Sequence, residues 1–190
     1  GRQEVRNLLD NLKKTYPAVV DEVVPGQLSV GGVQKVLQNL LRERIPIRNM
    51  VSILEVLGDY APRTKDPDIL TEYVRHALGR SICKLYQDNL GRIKAVTLDP
   101  HLEDVINTAV RKSGDVSYVA LDPAAIQNII ARTAETVNLS SGDGFQPVVL
   151  CSPQIRMHFK RLIERAMPSL AVLSYNEIDP AVKLESVGVI

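Results

Sequence analysis

Cys151 is the residue of this chain best placed for reactivity. It ends the apolar run Val148-Val149-Leu150 and precedes Ser152-Pro153, where a helix is expected to begin. A thiol at a helix N-terminus is acidified by the aligned peptide dipoles, and the thiolate is the nucleophile. An enzyme reading needs a base, and the nominees are His158 and the distant His101. His158 lies seven residues on, about two turns along the same expected helix, too far to activate the thiol directly. The competing reading is a small buried residue at the end of a core strand, the ordinary state of a free cysteine. Ser140-Ser141-Gly142-Asp143-Gly144 suggests a phosphate cradle, but such loops follow a strand and open a helix with Lys-Ser/Thr. This one follows a helix, precedes a strand and carries no Lys, so it reads as a solvated connector.

Two basic clusters offer binding rather than catalysis. Arg42, Arg44 and Arg48 surround Ile45-Pro46-Ile47, and Arg156, Lys160, Arg161 and Arg165 stud a later helix. A helical hairpin beside arginines raises helix-turn-helix DNA binding. Glu43 and Glu55 interrupt the first cluster, and a formal net charge of +1 lacks the excess that phosphate binding needs. Solvated helix faces or protein-docking charges fit better. Pro46 also serves as plain punctuation between helices, and Arg48 as a donor to the carbonyls that end the first of them. Paired carboxylates, a triad order and an HExxH spacing are missing, and His76, His101 and His158 are scattered over separate helices. No catalytic group, metal or cofactor is expected.

The elements that must hold these residues follow from periodicity. Val5, Leu8, Leu9, Leu12 and Tyr16 share a helical face closed by Pro17, and Ala18–Val24 continues it to Pro25-Gly26. Ser29 predicts an N-cap, followed by Val33, Val36, Leu37, Leu40 and Leu41 on one face. Pro46 stops that helix, and a new stripe runs from Met50 through Leu57. Asp66-Pro67 then opens a long helix carried to about Tyr86. At Asn89-Leu90-Gly91 the pattern changes: Ile93–Leu98 and Val116–Leu121 read as strands, each ending in Leu-Asp-Pro and feeding a helix, the first of them through Val110. Asn138–Gln146 reads as a loop, Pro147–Leu150 and Ala171–Leu173 as strands, Ser152 as a helix cap and Lys183–Ile190 as the last strand. The expected fold is therefore α plus α/β, a helical subdomain followed by a small α/β subdomain with a mixed sheet.

With 45% hydrophobic and 24% charged residues the composition is that of an ordinary globular protein, with a core of Leu, Val, Ile and Ala because Trp is absent and Phe occurs twice. The two cysteines lie far apart without paired spacing, which fits a reducing compartment and no disulfide framework. No run reaches the roughly 18 apolar residues of a membrane span. The charged opening GRQEVRNLLDNLKK does not read as a signal peptide, and without an initiator Met it reads as a piece of something longer. The residues alone lead to a two-domain binding or assembly module.

The wording of two blocks says more. VQKVLQNLLRERIPIRNMVSILEVLGDYA with DILTEYVRHALGRSI, and the tail VVLCSPQIRMHFKRLIERAMPSLAVLSYNEI with LESVGVI, resemble the type III export-gate family over essentially the whole chain. The first block is the specific one; the second favours the flagellar branch over the related virulence-secretion export gates. The resemblance implies the C-terminal part of a cytoplasmic domain that follows a multi-span region in the bacterial inner membrane. Residues 1–25 would then be an incoming helix and connector from a preceding subdomain, 26–90 an all-helical subdomain and 91–190 the α/β one. Implied partners are other copies in a nine-subunit ring, flagellar export chaperones with their cargo, and components of the export ATPase complex, with coupling of export to the proton gradient. Membrane contact would come only through the missing region, and no nucleic acid is implied. Arg44, Ile47, Arg48, Arg156 and Lys160 are the residues expected at ring or partner contacts, and no chaperone-contact residue carries over.

Overall fold

The computed structural model describes residues 1–142 and 144–190. The chain divides into two compact units, Gly1–Leu78 and Gly79–Ile190. This division falls one helix before residue 90, where the sequence pattern changes.

The first unit is helical: α1 (Arg2–Thr15), α2 (Pro17–Val23), α3 (Val30–Arg42), α4 (Met50–Tyr60) and α5 (Pro67–Ala77). Local chemistry sets their starts. Ser29 Oγ accepts from the Gly32 amide at 3.0 Å, Asn49 Oδ1 from Ser52 at 3.4 Å and Asp66 Oδ1 from Asp68 at 2.9 Å. Residues 1–25 pack inside this unit, α1 against α3 and α2 against α4. Val33, Val36, Leu40, Ile53, Leu54, Leu57, Leu70 and Val74 are sealed from solvent and form its core. Polar ties set the register of α3 against α5: Asn39 Nδ2 donates to both Asp68 Oδ1 and Thr71 Oγ1 at 3.1 Å.

The second unit comprises α6 (Gly79–Tyr86), β1 (Arg92–Thr97), α7 (Pro100–Ala109), β2 (Val110–Ser113), β3 (Val116–Val119), α8 (Pro123–Ser140), β4 (Val148–Cys151), α9 (Arg156–Ile163), β5 (Val172–Ser174) and β6 (Lys183–Val189), with a 3-10 turn at Tyr175–Glu177. Its main sheet has the order β5-β4-β1-β6 and every neighbouring pair is parallel. A parallel sheet needs crossovers and cover, which explains why β4 is buried at every position. Val96, Val149, Cys151 and Val172 join Leu102, Ile106, Ile129, Phe159 and Ile163 in one cluster, so α7, α8 and α9 supply the side chains that cover these strands. The second sheet is the antiparallel hairpin β2-β3, so parallel and antiparallel pairing occur in separate sheets.

Several expected elements shift. The long helix from Asp66-Pro67 is interrupted at Leu78, giving α5 and α6. The helix expected through Val110 ends at Ala109, and Val110 starts β2, a strand the sequence reading missed. Gly114, at φ +61°, supplies the positive backbone angle of the two-residue hairpin turn Gly114-Asp115. The expected loop from Asn138 begins late, because α8 runs to Ser140 and its hydroxyl donates to the Val187 carbonyl at 3.1 Å. Ser152 does not cap α9, which begins at Arg156 after a turn.

One close approach governs α6. A Cβ on Gly79 would stand 2.4 Å from the Glu177 carbonyl oxygen, which also accepts from Cys83 Sγ at 3.4 Å. Alanine improves helix propensity by about 1 kcal/mol, but overpacking against backbone costs about 1–3 kcal/mol. Gly79→Ala is therefore expected to lower stability in urea denaturation by up to about 2 kcal/mol, and a higher midpoint would contradict the fit.

Candidate docking surface

The joint after α3 is built by its own backbone. The Arg44 amide donates to the Leu41 carbonyl and the Ile45 amide to the Leu40 carbonyl, both at 2.9 Å. This is the paired C-terminal closure in which the residue past the cap turns left-handed and the next apolar residue folds back on the helix. Arg44 takes that turn at φ +62°, a conformation costly for any side chain beyond glycine. Ile45 and Leu40 are buried, completing the apolar half of the closure. These backbone bonds occupy the Leu40 and Leu41 carbonyls without Arg48. It stands exposed, as do Arg42, Arg44 and Pro46, while Ile47 is half-buried.

Beneath this surface the joint is anchored electrostatically. Arg75, 1% exposed, faces Glu43 with Nη1 3.5 Å from Oε1. Glu43, read from sequence as an interruption of a basic cluster, holds the end of α3 to α5. Leu41, expected on the buried stripe, is 51% exposed and adds an apolar flank.

The second basic cluster behaves differently. Arg156 and Lys160 are buried, which corrects the expectation of a contact surface there. Burying a cation without partners costs several kcal/mol, so both are paired. Arg156 Nη1 donates to the Val172 carbonyl at 2.9 Å, and Lys160 Nζ to the carbonyls of Pro168 and Leu170 at 3.1 and 2.8 Å. They fix the approach to β5. Only Arg161 and Arg165 of this group are exposed.

The thiol candidates sit in the core. Cys151 is fully buried and His158 nearly so, whereas His101 is exposed on α7. At the end of β4 the Glu103 carboxylate accepts from the Ser152 amide at 3.2 Å. Burial, followed by the nearby Glu103 and Cys151 charges, pushes the Tyr175 hydroxyl above its ordinary value. Burial likewise raises the Cys83 thiol, and a raised thiol has less thiolate at neutral pH. In the expected phosphate cradle, Asp143 lies outside the described residues; Gly142 bridges Phe145 across the turn. Among the described residues no group of three or more His, Cys, Asp or Glu is placed to hold a metal ion. No helix of the described residues is long and apolar enough to cross a membrane.

The hairpin β2-β3 is the surface feature that sequence reading passed over. Register pairs Arg111 with Tyr118 and Ser113 with Val116, placing these four on one face, and Val116 and Tyr118 are exposed. Its signal was the Gly-Asp pair between two short alternating runs.

The FHIPEP family model matches residues 1–183. The flagellar biosynthesis protein FlhA of Bacillus subtilis (strain 168) is 42% identical over 190 residues, which is 100% of this chain and 28% of that protein. Among solved structures, nonameric EPEC SctV-C superposes with a TM-score of 0.91 at 29% identity, covering 100% of this chain and 57% of that one. The Chlamydia pneumoniae CdsV and CdsO protein complex gives 0.92 at 32% identity, covering 100% of this chain and 56% of that one. The chain thus spans about a quarter of the curated relative's length and just over half of these solved chains.

Two outcomes are expected. Arg44→Gly removes the left-handed penalty and should raise stability by about 0.5–1 kcal/mol in chemical denaturation; a loss would contradict the closure described. Cys83 and Cys151 should resist iodoacetamide at neutral pH until the chain is unfolded, whereas fast native labelling of Cys151 would revive the thiol reading.

Proposed function

The chain belongs to the FHIPEP family, and from that premise we propose that it is the C-terminal docking and ring-forming portion of a flagellar type III export gate. The observation that carries this reading is the Arg44 turn. Glycine would relieve the backbone there, yet an arginine is kept, exposed, beside Arg42, Arg48 and Leu41. A side chain held at a backbone cost points to a use for that side chain. In this reading Arg44, Ile47 and Arg48 meet a neighbouring copy, and the partly buried Arg75–Glu43 pair keeps the turn rigid enough to register with it. The nonameric assembly of EPEC SctV-C supports self-association of this fold.

Reception of chaperone–cargo complexes and of ATPase-complex components completes the proposal. The complex of CdsV with CdsO supports a fold that carries a second protein. The protein works without catalysis of its own, on the cytoplasmic side of the inner membrane, to which the longer protein anchors it. The flagellar branch is favoured over a virulence-secretion gate by the identity to the FlhA proteins. DNA binding is disfavoured by the near-neutral charge and by the burial of half the second basic cluster.

The test places this segment in B. subtilis FlhA in exchange for its own. The exchange is expected to support swimming, and Arg44→Glu with Arg48→Glu to abolish it and to reduce subunit–subunit cross-linking at least fivefold. The thermal midpoint of the isolated chain should be unchanged, since both side chains are exposed. Unaltered swimming and cross-linking in the double variant would overturn the assignment of this surface.

A further inference from the structure

The start of α3 carries a second binding feature. There the first unit opens a hollow of about 420 Å³, a volume within the range of ligand clefts. Three cations from separate parts of the unit line it: Arg2 of α1, Lys35 of α3 and Lys65 ahead of α5. No carboxylate is among its lining residues. Among the described residues none of the three cations forms an ion pair; Lys65 Nζ instead donates to the Gln27 carbonyl. We propose that this hollow docks an acidic, extended segment of a partner polypeptide.

Electrostatics carries the assignment. Like charges converge here without a counter-ion, beside the end of a helix that itself bears positive partial charge. Other cations of the unit do meet carboxylates, as in Lys13–Asp21 at 2.8 Å and Arg75–Glu43. Gly31 contributes by absence: a Cβ there would stand 3.3 Å from the Arg2 guanidinium, so the glycine lets this cation approach α3. All three cations are exposed and reachable by an entering anion, whose attraction salt would screen.

The walls select the kind of anion. Pro25, Leu28 and Pro67 set apolar surface between the cations. A small anion such as phosphate would meet the cations but leave the apolar walls uncovered. Carboxylates spaced along a backbone, with an apolar side chain between them, satisfy both the charges and the walls. This goes beyond the ring reading, because the site lies within a single copy.

The experiment titrates the chain with a hexapeptide of alternating glutamate and leucine and follows the Gly31 and Gly32 amide resonances by NMR. The glutamate peptide is expected to shift both, with affinity falling steeply as salt rises. The matching glutamine peptide should leave them unmoved. Lys35→Glu with Lys65→Glu should weaken binding at least tenfold; Lys35→Gln alone, at an exposed position, should weaken it about threefold and guards against a folding defect. Unshifted glycines, or a charge-reversed chain that binds as well, would overturn the proposal. So would inorganic phosphate producing the same shifts at lower concentration, which would make this a small-anion site. A failed ring assay would leave this outcome untouched, since binding is read on the single chain.

Discussion

A charge taken out of water must find a partner, and in this chain that constraint decides which basic residues build the fold and which meet the outside. Arg75, Arg156 and Lys160 are all buried. Each is held by a carboxylate or by backbone carbonyls, and among the described residues no buried side-chain nitrogen or oxygen is left without a partner. Removing one member of such a set strands the other at a cost of about 3–5 kcal/mol, far more than an exposed pair contributes. These pairs therefore act as pins. Arg75 fixes the end of α3 to α5, while Arg156 and Lys160 fix the chain that feeds β5.

The contact surface proposed above is what these pins leave exposed. With Glu43 facing Arg75 and the Leu40 and Leu41 carbonyls closed by backbone amides, the side chains of Arg42, Arg44 and Arg48 form no ion pair among the described residues. They stand on a joint whose geometry is rigid on both sides, through Ile45 in the core and Asn49 capping α4. A rigid turn that presents cations and an exposed leucine suits repeated, identical contacts, which is what a closed ring of copies requires. The hollow at the start of α3 differs in kind: its cations come from three separate parts of the unit and stand among apolar wall residues, suiting an extended segment rather than a flat neighbour.

Much of this was legible in the residues. Asp66, Asp99 and Asp122 before proline each cap a helix through a side-chain oxygen, as a short-range rule predicts. The strands at Arg92–Thr97 and Val148–Cys151 follow from β-branched, apolar runs. What failed depends on distant partners. The break at Leu78 is tied to the Glu177 carbonyl lying on Gly79, almost a hundred residues away in sequence, which no helical stripe can announce. Arg156 and Arg48 look alike in sequence, yet one is paired within the core and the other exposed, because only tertiary packing decides which cation meets a carbonyl. Strand β2 was lost because Val110 completes a helical stripe as well as it starts a strand.

In the proposed ring the turn after α3 meets the neighbouring copy, and the helix carrying Arg156 and Lys160 does not. Hydrogen–deuterium exchange on the longer cytoplasmic portion, compared between monomer and assembled ring, reads this directly. New protection is expected at residues 42–49 on assembly, with residues 156–172 unchanged because their bonds are already made within one copy. Protection gained at 156–172 while 42–49 exchanges as before would contradict it.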